Sequence, residues 1–588
     1  MLQCHIYNPN ASPFYQMKSI DKLAKLRSSL KKEGVDGFLI PRADQWPGEF
    51  ISEHSERLKW LTNFTGSAGV GIVLENKAVV LTDGRYTLQV QEQLDSACWS
   101  NGDITKISIS DWLIENAKEG HCIGFDPYLH SIGEIEELED KLDEKQISLK
   151  ALPSNPIDEL WSSQPEEPNT PVTIFDDQLA GQTVEQKLEV VSKILKEEEV
   201  EQFFLTMPDS IAWLLNVRGN DVVHTPVPLS YGLVKADGTF DWFIDKGRVP
   251  ADIIDKLKTH VTIKQPQELE STLAGLNSLI GIDEKRTAYA FPQKIAMTKD
   301  VKDPCILLKA CKNDAEQDAI RHAHIKDGQA LIEFHRWLKD QEGKTLNELG
   351  VEQKLEEFRQ KHGDIQSPSF DTIAGFAGNG AIIHYRATKS TNKKIKDQGL
   401  LLIDSGAQYL SDTYAGTTDV TRTYIIGKAS NEEKYHYTTV LRAHIAVAKA
   451  QFPYGTTGIQ IDAIARSILW QEGLDFAHGL GHGVGCFLNV HEEASHLSPR
   501  GVEKLEPGML LSNEPGLYLE GEYGIRIENL LFVQKTGNQD ILGRDILHFE
   551  TVTLAPYDND LIDFNLLNGA EMEWLENYYS LIEEKLDI

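Results

Sequence analysis

The chain has 588 residues and a formal net charge of −32, from 90 acidic and 58 basic side chains, with 41% of residues hydrophobic. That acidity disfavours nucleic acid and anionic membrane surfaces as partners, since both require a positive face. The length exceeds what one hydrophobic core organises and predicts several domains. Six cysteines (Cys4, Cys98, Cys122, Cys305, Cys311 and Cys486) are scattered without a CxxC pair and read as reduced thiols. The N-terminal MLQCHIYNPNASPFYQMKS has no apolar signal core, and no stretch is long and apolar enough to span a bilayer. The expected location is the cytoplasm.

Residues 17–160 alternate amphipathic helical stretches with short apolar runs such as GFLIP (37–41) and AVVLTDGRY (78–86), an α/β or α+β texture. SSQPEEPNTPV (162–172), rich in proline and without apolar period, reads as a linker. The texture then restarts. Trp-Leu-x-Asn occurs at Trp60–Asn63 and again at Trp213–Asn216, each followed by an apolar run ending in aspartate, Val79–Asp83 and Trp242–Asp245. This predicts a duplicated domain, with boundaries at 1–161 and 162–311, and a third domain over 312–588. Asn313 with Glu316 resembles a capping box opening a long helix whose Ile320, Ala323, Leu331, Phe334 and Leu338 face a core. EMEWLENYYSLIEEKL (571–586) reads as a closing amphipathic helix.

From residue 370 the chain turns to short strands with polar ends. Leu400–Ile403 is an apolar strand ending in Asp404; a turn, SGAQYLSDTYAG, leads to TTDVTRTYII, in which Asp419, Thr421 and Thr423 share one face and Val420 and Tyr424 the other. A hairpin of this length would bring Asp404 and Asp419 together, and two buried carboxylates require a proton or a cation between them. AHGLGHGVGCFLNVHEE places His478, His482 and His491 in a glycine-rich run that allows crowding around one point. MLLSNEPGLYL puts Glu514 at a strand end, and YGIRIENLLFV alternates so that Ile525 and Ile527 face a core while Arg526 and Glu528 share the opposite face. Four carboxylates and an imidazole suit two divalent ions, Mn²⁺ first, with Zn²⁺ and Co²⁺ also compatible.

DSGAQY, TTDVTRT, HGLGHGVG, LNVHE, SNEPG and GIRIEN, in that order, resemble the pita-bread metallopeptidases (M24B), and among them the three-domain cytosolic Xaa-Pro aminopeptidases, or aminopeptidase P. WLTNFTGSAG and WLLNVRGND are similar to the matching N-terminal segments. The resemblance implies two creatinase-like N-terminal domains and a C-terminal pita-bread catalytic domain, together α/β and α+β. It implies metal ligands Asp404, Asp419, His482, Glu514 and Glu528, with Asp419 and Glu528 bridging, and His384, His478 and His491 as further active-site histidines. Glu514 would accept the proton of a water that bridges the metals and attacks the scissile carbonyl, His491 would stabilise the oxyanion, and Arg526 would orient a bridging ligand. Substrates would be peptides with proline second, and the assembly a homodimer.

One departure concerns the hairpin: LSDTYAG makes it longer than the family's usual turn, so Asp412 rivals Asp404 as first ligand, and Asp404 is preferred because DSGAQY directly follows the apolar strand. Other readings are a prolidase-type Xaa-Pro dipeptidase, which normally has one N-terminal domain, and a catalytically inactive pita-bread binding protein, which would have lost ligands. Cys486, beside the histidine loop, is either an oxidation-sensitive thiol or a packed one.

Overall fold

The computed structural model describes residues 17–341, 345–396 and 398–587; Cys4 and the N-terminal stretch lie outside them. The chain forms two compact units. The first comprises the described residues up to Ala43 together with Glu53–Asp83 and Thr87–Glu166; the second comprises Asp44–Ser52, Gly84–Tyr86 and the described residues from Glu167 onward.

The first unit is built on helix α1 (Ser19–Glu33), strand β1 (Gly37–Pro41), helix α2 (Arg57–Thr62) and strands β2 (Val70–Leu74), β3 (Ala78–Thr82), β4 (Ser100–Asp103), β5 (Cys122–Phe125) and β6 (Ser148–Ala151). The strands form one mixed sheet in the order β4-β3-β2-β1-β5-β6. β1–β2 and β2–β3 are antiparallel, and the other pairs are parallel.

Within the second unit the pattern repeats: helix α3 (Val184–Glu197), β7 (Gln202–Leu205), α4 (Pro208–Leu214), β8 (Tyr231–Lys235), β9 (Phe240–Phe243), β10 (Val261–Lys264), β11 (Ile280–Ile282) and β12 (Thr298–Asp300). The sheet order β10-β9-β8-β7-β11-β12 and its mix of parallel and antiparallel pairs reproduce the first sheet strand for strand. The repeated Trp-Leu-x-Asn has a local cause. Asn63 (φ 68°) and Asn216 (φ 48°) both stop a short helix in the left-handed region, which asparagine tolerates better than most residues. Each tryptophan is also met by a lysine from the fourth position of the preceding long helix. The Lys22 ammonium lies 4.7 Å from the Trp60 ring centre and donates to the Trp60 carbonyl. The Lys187 ammonium lies 4.2 Å from the Trp213 ring centre and donates to the Trp213 carbonyl at 2.9 Å.

Helices α5 (Cys305–Ala310) and α6 (Asp314–Lys339) follow. The Asn313 side chain accepts from the Glu316 amide while the Glu316 carboxylate accepts from the Asn313 amide, so asparagine completes the capping box, and Ile320, Ala323, Leu331, Phe334 and Leu338 are all buried. Strands β13 (Ile373–Phe376) and β14 (Gly399–Ser405) lead to β15 (Ala407–Leu410), β16 (Ala415–Thr417) and β17 (Val420–Ile426). β13, β14 and β17 make an antiparallel sheet in that order. The long turn between the aspartates is itself a β15–β16 ladder pairing Gln408 with Thr417 and Leu410 with Ala415.

After helix α7 (Asn431–Ala448), β18 (Gln451–Pro453) and helix α8 (Gly458–Gln471), the strands β19 (Gly481–Gly483), β20 (Glu492–Leu497), β21 (Leu510–Asn513), β22 (Gly516–Leu519), β23 (Tyr523–Arg526), β24 (Asn529–Gln539) and β25 (Asp545–Thr551) follow, and helix α9 (Gly569–Leu586) closes the chain. The larger sheet runs β18-β25-β24-β21-β19-β20, and β22 pairs with β23. Its core joins Val440, Leu441 and Ile445 of α7 and Ile461 and Leu469 of α8 to Leu511, Ile525, Ile527, Leu531 and Leu575. Each such side chain contributes about 1.5–3 kcal/mol on burial, which offsets the cost of the charged groups held on the opposite face.

Candidate metal centre

Asp404 ends β14 opposite Thr421 of β17, and Asp419 stands one residue before β17 begins. The chain turns back after Asp404 only because residue 406 is glycine: a Cβ there would lie 1.9 Å from the Thr418 carbonyl oxygen. Glycine is needed again at 481, where a Cβ would lie 1.9 Å from the Ser512 carbonyl; that close approach of β19 to β21 brings His482 beside Glu514.

Ligating atoms of Asp419, His482 and Glu528 all lie within 4.8 Å of one another. His482 Nε2 is 3.5 Å from Asp419 Oδ2 and 3.4 Å from Glu514 Oε1. His482 Nδ1 donates to the Gly483 carbonyl at 2.9 Å, which fixes the tautomer and leaves Nε2 as a bare lone pair facing the carboxylates. Thr421 donates to Glu528 Oε2 at 2.7 Å, and Ser512 donates to Glu514 Oε1 at 3.1 Å. Arg526 Nη2 donates to Asp404 Oδ2 at 2.6 Å, while Asp404 Oδ1 is buried with no hydrogen-bond partner among the described residues.

The cluster carries too much negative charge for its surroundings. Burial first, then the charges of Glu528, Asp404 and Glu514, push the Asp419 carboxyl well above its usual range. Burial, then Glu514 and Asp404, does the same to Glu528. Glu514 is pushed up to about 8 by burial, with Arg526 opposing and Asp404 adding to the shift. His482 is driven well below its ordinary value by burial and then by neighbouring His491, so it is neutral. Acids this buried and this close, a neutral imidazole aimed at them and an orphaned carboxylate oxygen are the donor set of a divalent-cation site.

Asp412, the rival first ligand, is exposed at the tip of the β15–β16 ladder. Arg526 grips Asp404 directly, and it reaches Glu528 through Thr421, whose hydroxyl accepts from Arg526 Nε at 3.2 Å. His491 lies beside His482, ring centres 4.3 Å apart. His384 and His478 line the same region. His478 Nδ1 donates to the Gly479 carbonyl at 2.7 Å, so its Nε2 accepts from Tyr518 at 2.8 Å. Burial, followed by the Arg526 charge, lowers His478 to about 3; burial, followed by Arg85, holds His384 well below its ordinary range. Cys486 is 4% exposed and burial pushes its thiol up to about 12, which makes it a packed thiol rather than a reactive one.

Several groups at the site escape a reading of the sequence alone. Tyr518 accepts from Arg526 Nη1 at 2.7 Å while donating to His478, joining the Asp404 partner to the histidine wall. Arg422 is 2% exposed and holds the Glu528 carbonyl at 2.6 Å and Asn529 Oδ1 at 2.7 Å, fixing the backbone that carries Glu528. From the short stretches 44–52 and 84–86, Glu49 pairs with His491 Nδ1, Arg85 lies 3.5 Å from Glu49, and the Tyr86 hydroxyl is 2.9 Å from His384 Nδ1. The only available signal was the polar DGRY after an apolar run. Tyr518→Phe leaves the ring and removes both hydrogen bonds, one of them to a charged group; kcat is expected to fall at least about tenfold with little change in KM. Steady-state kinetics check this.

The family model of metallopeptidase family M24 matches residues 318–535. The Creatinase/Prolidase N-terminal domain matches twice, at 22–155 and 163–316, and the C-terminal region of peptidase M24 matches 545–587. The chain belongs to metallopeptidase family M24, with a duplicated creatinase/prolidase N-terminal domain. Within that family it is 36% identical over 606 residues to a probable Xaa-Pro aminopeptidase P of Tuber melanosporum, covering 97% of this chain and 96% of the relative. It is 35% identical to aminopeptidase P2 of Arabidopsis thaliana, covering 96% and 86%. The X-prolyl aminopeptidase of Caenorhabditis elegans, described as a cytosolic enzyme with a di-nuclear active site, superposes with a TM-score of 0.92 at 32% identity over 97% of this chain and 96% of its own.

Proposed function

We propose that the chain is a metal-dependent aminopeptidase that releases the N-terminal residue from peptides with proline in second position. The observation that carries this is the buried convergence of Asp419, Glu528 and Glu514 on the bare Nε2 of His482. Two divalent ions, Mn²⁺ by the preference of an oxygen-rich set, would be held by Asp404, Asp419, His482, Glu514 and Glu528, with Asp419 and Glu528 shared. When bound they supply Lewis acidity, which polarises a carbonyl and makes water acidic at neutral pH.

The protein's own groups do the rest. Glu514 acts as the carboxylate: it takes the proton from the attacking water, its proton affinity raised by burial, and returns it to the leaving nitrogen. His491, whose Nδ1 pairs with Glu49, presents Nε2–H to the oxyanion. The neutral imidazoles of His384 and His478 form a wall for the proline ring. The tertiary amide of proline brings no N–H that such a wall would leave unsatisfied. The acidic cluster attracts the substrate's free ammonium, which makes the enzyme an exopeptidase.

Domains over 1–161, 162–311 and 312–588, a homodimeric assembly and a cytoplasmic location complete the proposal. Among the described residues no helix is long and apolar enough to cross a membrane. The inactive-binder reading fails to account for a complete set of donors. The dipeptidase reading is tested directly: purified protein should carry divalent metal and cleave Xaa-Pro-Pro and Xaa-Pro-Yaa well above the dipeptide Xaa-Pro. Chelation should abolish turnover and Mn²⁺ should restore it. Cleavage confined to Xaa-Pro would make it a dipeptidase, and metal-free protein of full activity would sink the site.

A further inference from the structure

The segment Cys486–Glu493, running from the β19–β20 loop into the start of β20, carries His491, and side chains from residues 209–312 hold it at several points. Arg218 is 3% exposed; its Nη2 donates to the Cys486 carbonyl at 3.0 Å and its Nε to the Phe487 carbonyl at 2.7 Å. Its guanidinium lies 4.0 Å from the ring centre of Phe175 and 5.9 Å from that of Phe487. Phe487 itself has φ 50°, a conformation unfavourable for a phenylalanine that persists only where its surroundings impose it. Asn489 donates to Asp209 Oδ2 at 3.3 Å. The Lys309 ammonium joins Asp209 Oδ2 and Glu492 Oε1, each at 3.0 Å, and Lys312 pairs with the other oxygen of Glu492. Arg286, 2.7 Å from Asp283, pairs with Glu493. Lys309, Lys312, Asp209 and Glu492 are each at most 4% exposed, so these charges are paired where water does not screen them.

We propose that Arg218, Asp209, Lys309 and Arg286 are positioning residues for the aminopeptidase: the second creatinase-like segment sets the place of His491 beside the carboxylate cluster. None of the four is assigned to a direct step of the reaction. The inference rests on the Xaa-Pro aminopeptidase reading, in which His491 meets the oxyanion. A catalytic group displaced by about 1 Å loses on the order of a hundredfold in rate, so anchoring of this loop is worth most of what His491 contributes.

The test is a double-mutant cycle. Lys309→Met and Arg286→Gln are each made in the wild type and in His491→Ala, and kcat and KM are measured on an Xaa-Pro-Pro peptide. In the wild type, Lys309→Met is expected to lower kcat about tenfold or more and Arg286→Gln about threefold, with KM within about twofold; in His491→Ala neither costs anything further. Amide hydrogen exchange should accelerate across 486–493 and stay unchanged across β17. If Lys309→Met does not fold, Arg286→Gln, at the solvent-facing end of the network, carries the cycle alone. Equal losses in both backgrounds, or exchange that rises throughout the sheets, overturn the proposal. A wild type without Xaa-Pro peptidase activity would instead overturn the activity reading, and the exchange pattern would still decide whether these side chains anchor the loop.

Discussion

Asp419→Ala is expected to leave a folded protein that holds no stoichiometric divalent metal and turns over Xaa-Pro peptides at least about a thousandfold more slowly. The magnitude follows from the several kcal/mol of carbonyl polarisation that a bound cation supplies, at a factor of ten per ~1.4 kcal/mol. Asp419 is the carboxylate with most to lose. It is 4% exposed, it faces the bare Nε2 of His482, and three neighbouring acids oppose its charge. The fold should survive, because the residue contributes repulsion in the absence of a cation, and the flanking ladder from Asp404–Thr421 to Gly399–Ile426 does not depend on it. Asp419→Asn sharpens the argument: it removes the same repulsion while keeping the side-chain volume, so metal-free Asn protein should melt no lower than metal-free wild type. Added Mn²⁺ should then stabilise the wild type and leave both variants unmoved. Metal analysis, thermal melts with and without Mn²⁺, and tripeptide hydrolysis measure the three outcomes. A variant retaining metal and turnover would mean that the centre lies elsewhere.

What the sequence made legible was whatever a short window determines. The Asn313 cap, the long helix behind it and the Ile525/Ile527 alternation each depend on residues within a few positions, and the structure forms them as local chemistry requires. The duplication was readable for the same reason: Trp-Leu-x-Asn is a helix stop, and a stop has a local signature. Its partner was not. Lys22 and Lys187 reach their tryptophans from 38 and 26 residues away, a separation at which no periodicity survives. The aspartate hairpin shows the boundary between the two cases. The alternation placed Thr421 on the ligand face, and Thr421 does bond Glu528, yet nothing in the turn announced that its extra residues would pair as a ladder with Asp412 at the tip. The walls of the site were the hardest part. Tyr518 and Arg422 look like ordinary strand residues, and Glu49 and Tyr86 come from short loops 442 and 298 residues before the histidines they meet. Contacts of that range are a product of tertiary packing alone.

Glu49→Gln is the second change expected to be severe, and it tests the least legible of these contacts. Burial disfavours the charged form of His491, yet the Glu49 carboxylate and its hydrogen bond hold the imidazole above its ordinary value. A carboxylate accepting from Nδ1–H does two things for such a ring: it fixes the orientation with Nε2 turned toward the substrate, and it favours the imidazolium, whose second proton sits on Nε2, as negative charge develops opposite. Glutamine preserves the shape and removes the charge, so the imidazolium that carries the Nε2 proton loses the partner that favours it. The expected result is a fall in kcat of about a hundredfold or more, the scale on which a carboxylate that fixes a catalytic imidazole acts, with KM and metal content near those of the wild type. Arg85 lies 3.5 Å from Glu49, so the part of its effect that passes through this pair should vanish in the Glu49→Gln background: Arg85→Gln should cost less there than in the wild type. Stopped-flow and steady-state rates on one tripeptide decide it: a Glu49→Gln enzyme within twofold of wild type would show that His491 needs no carboxylate behind it, and the role given to Glu49 would fall.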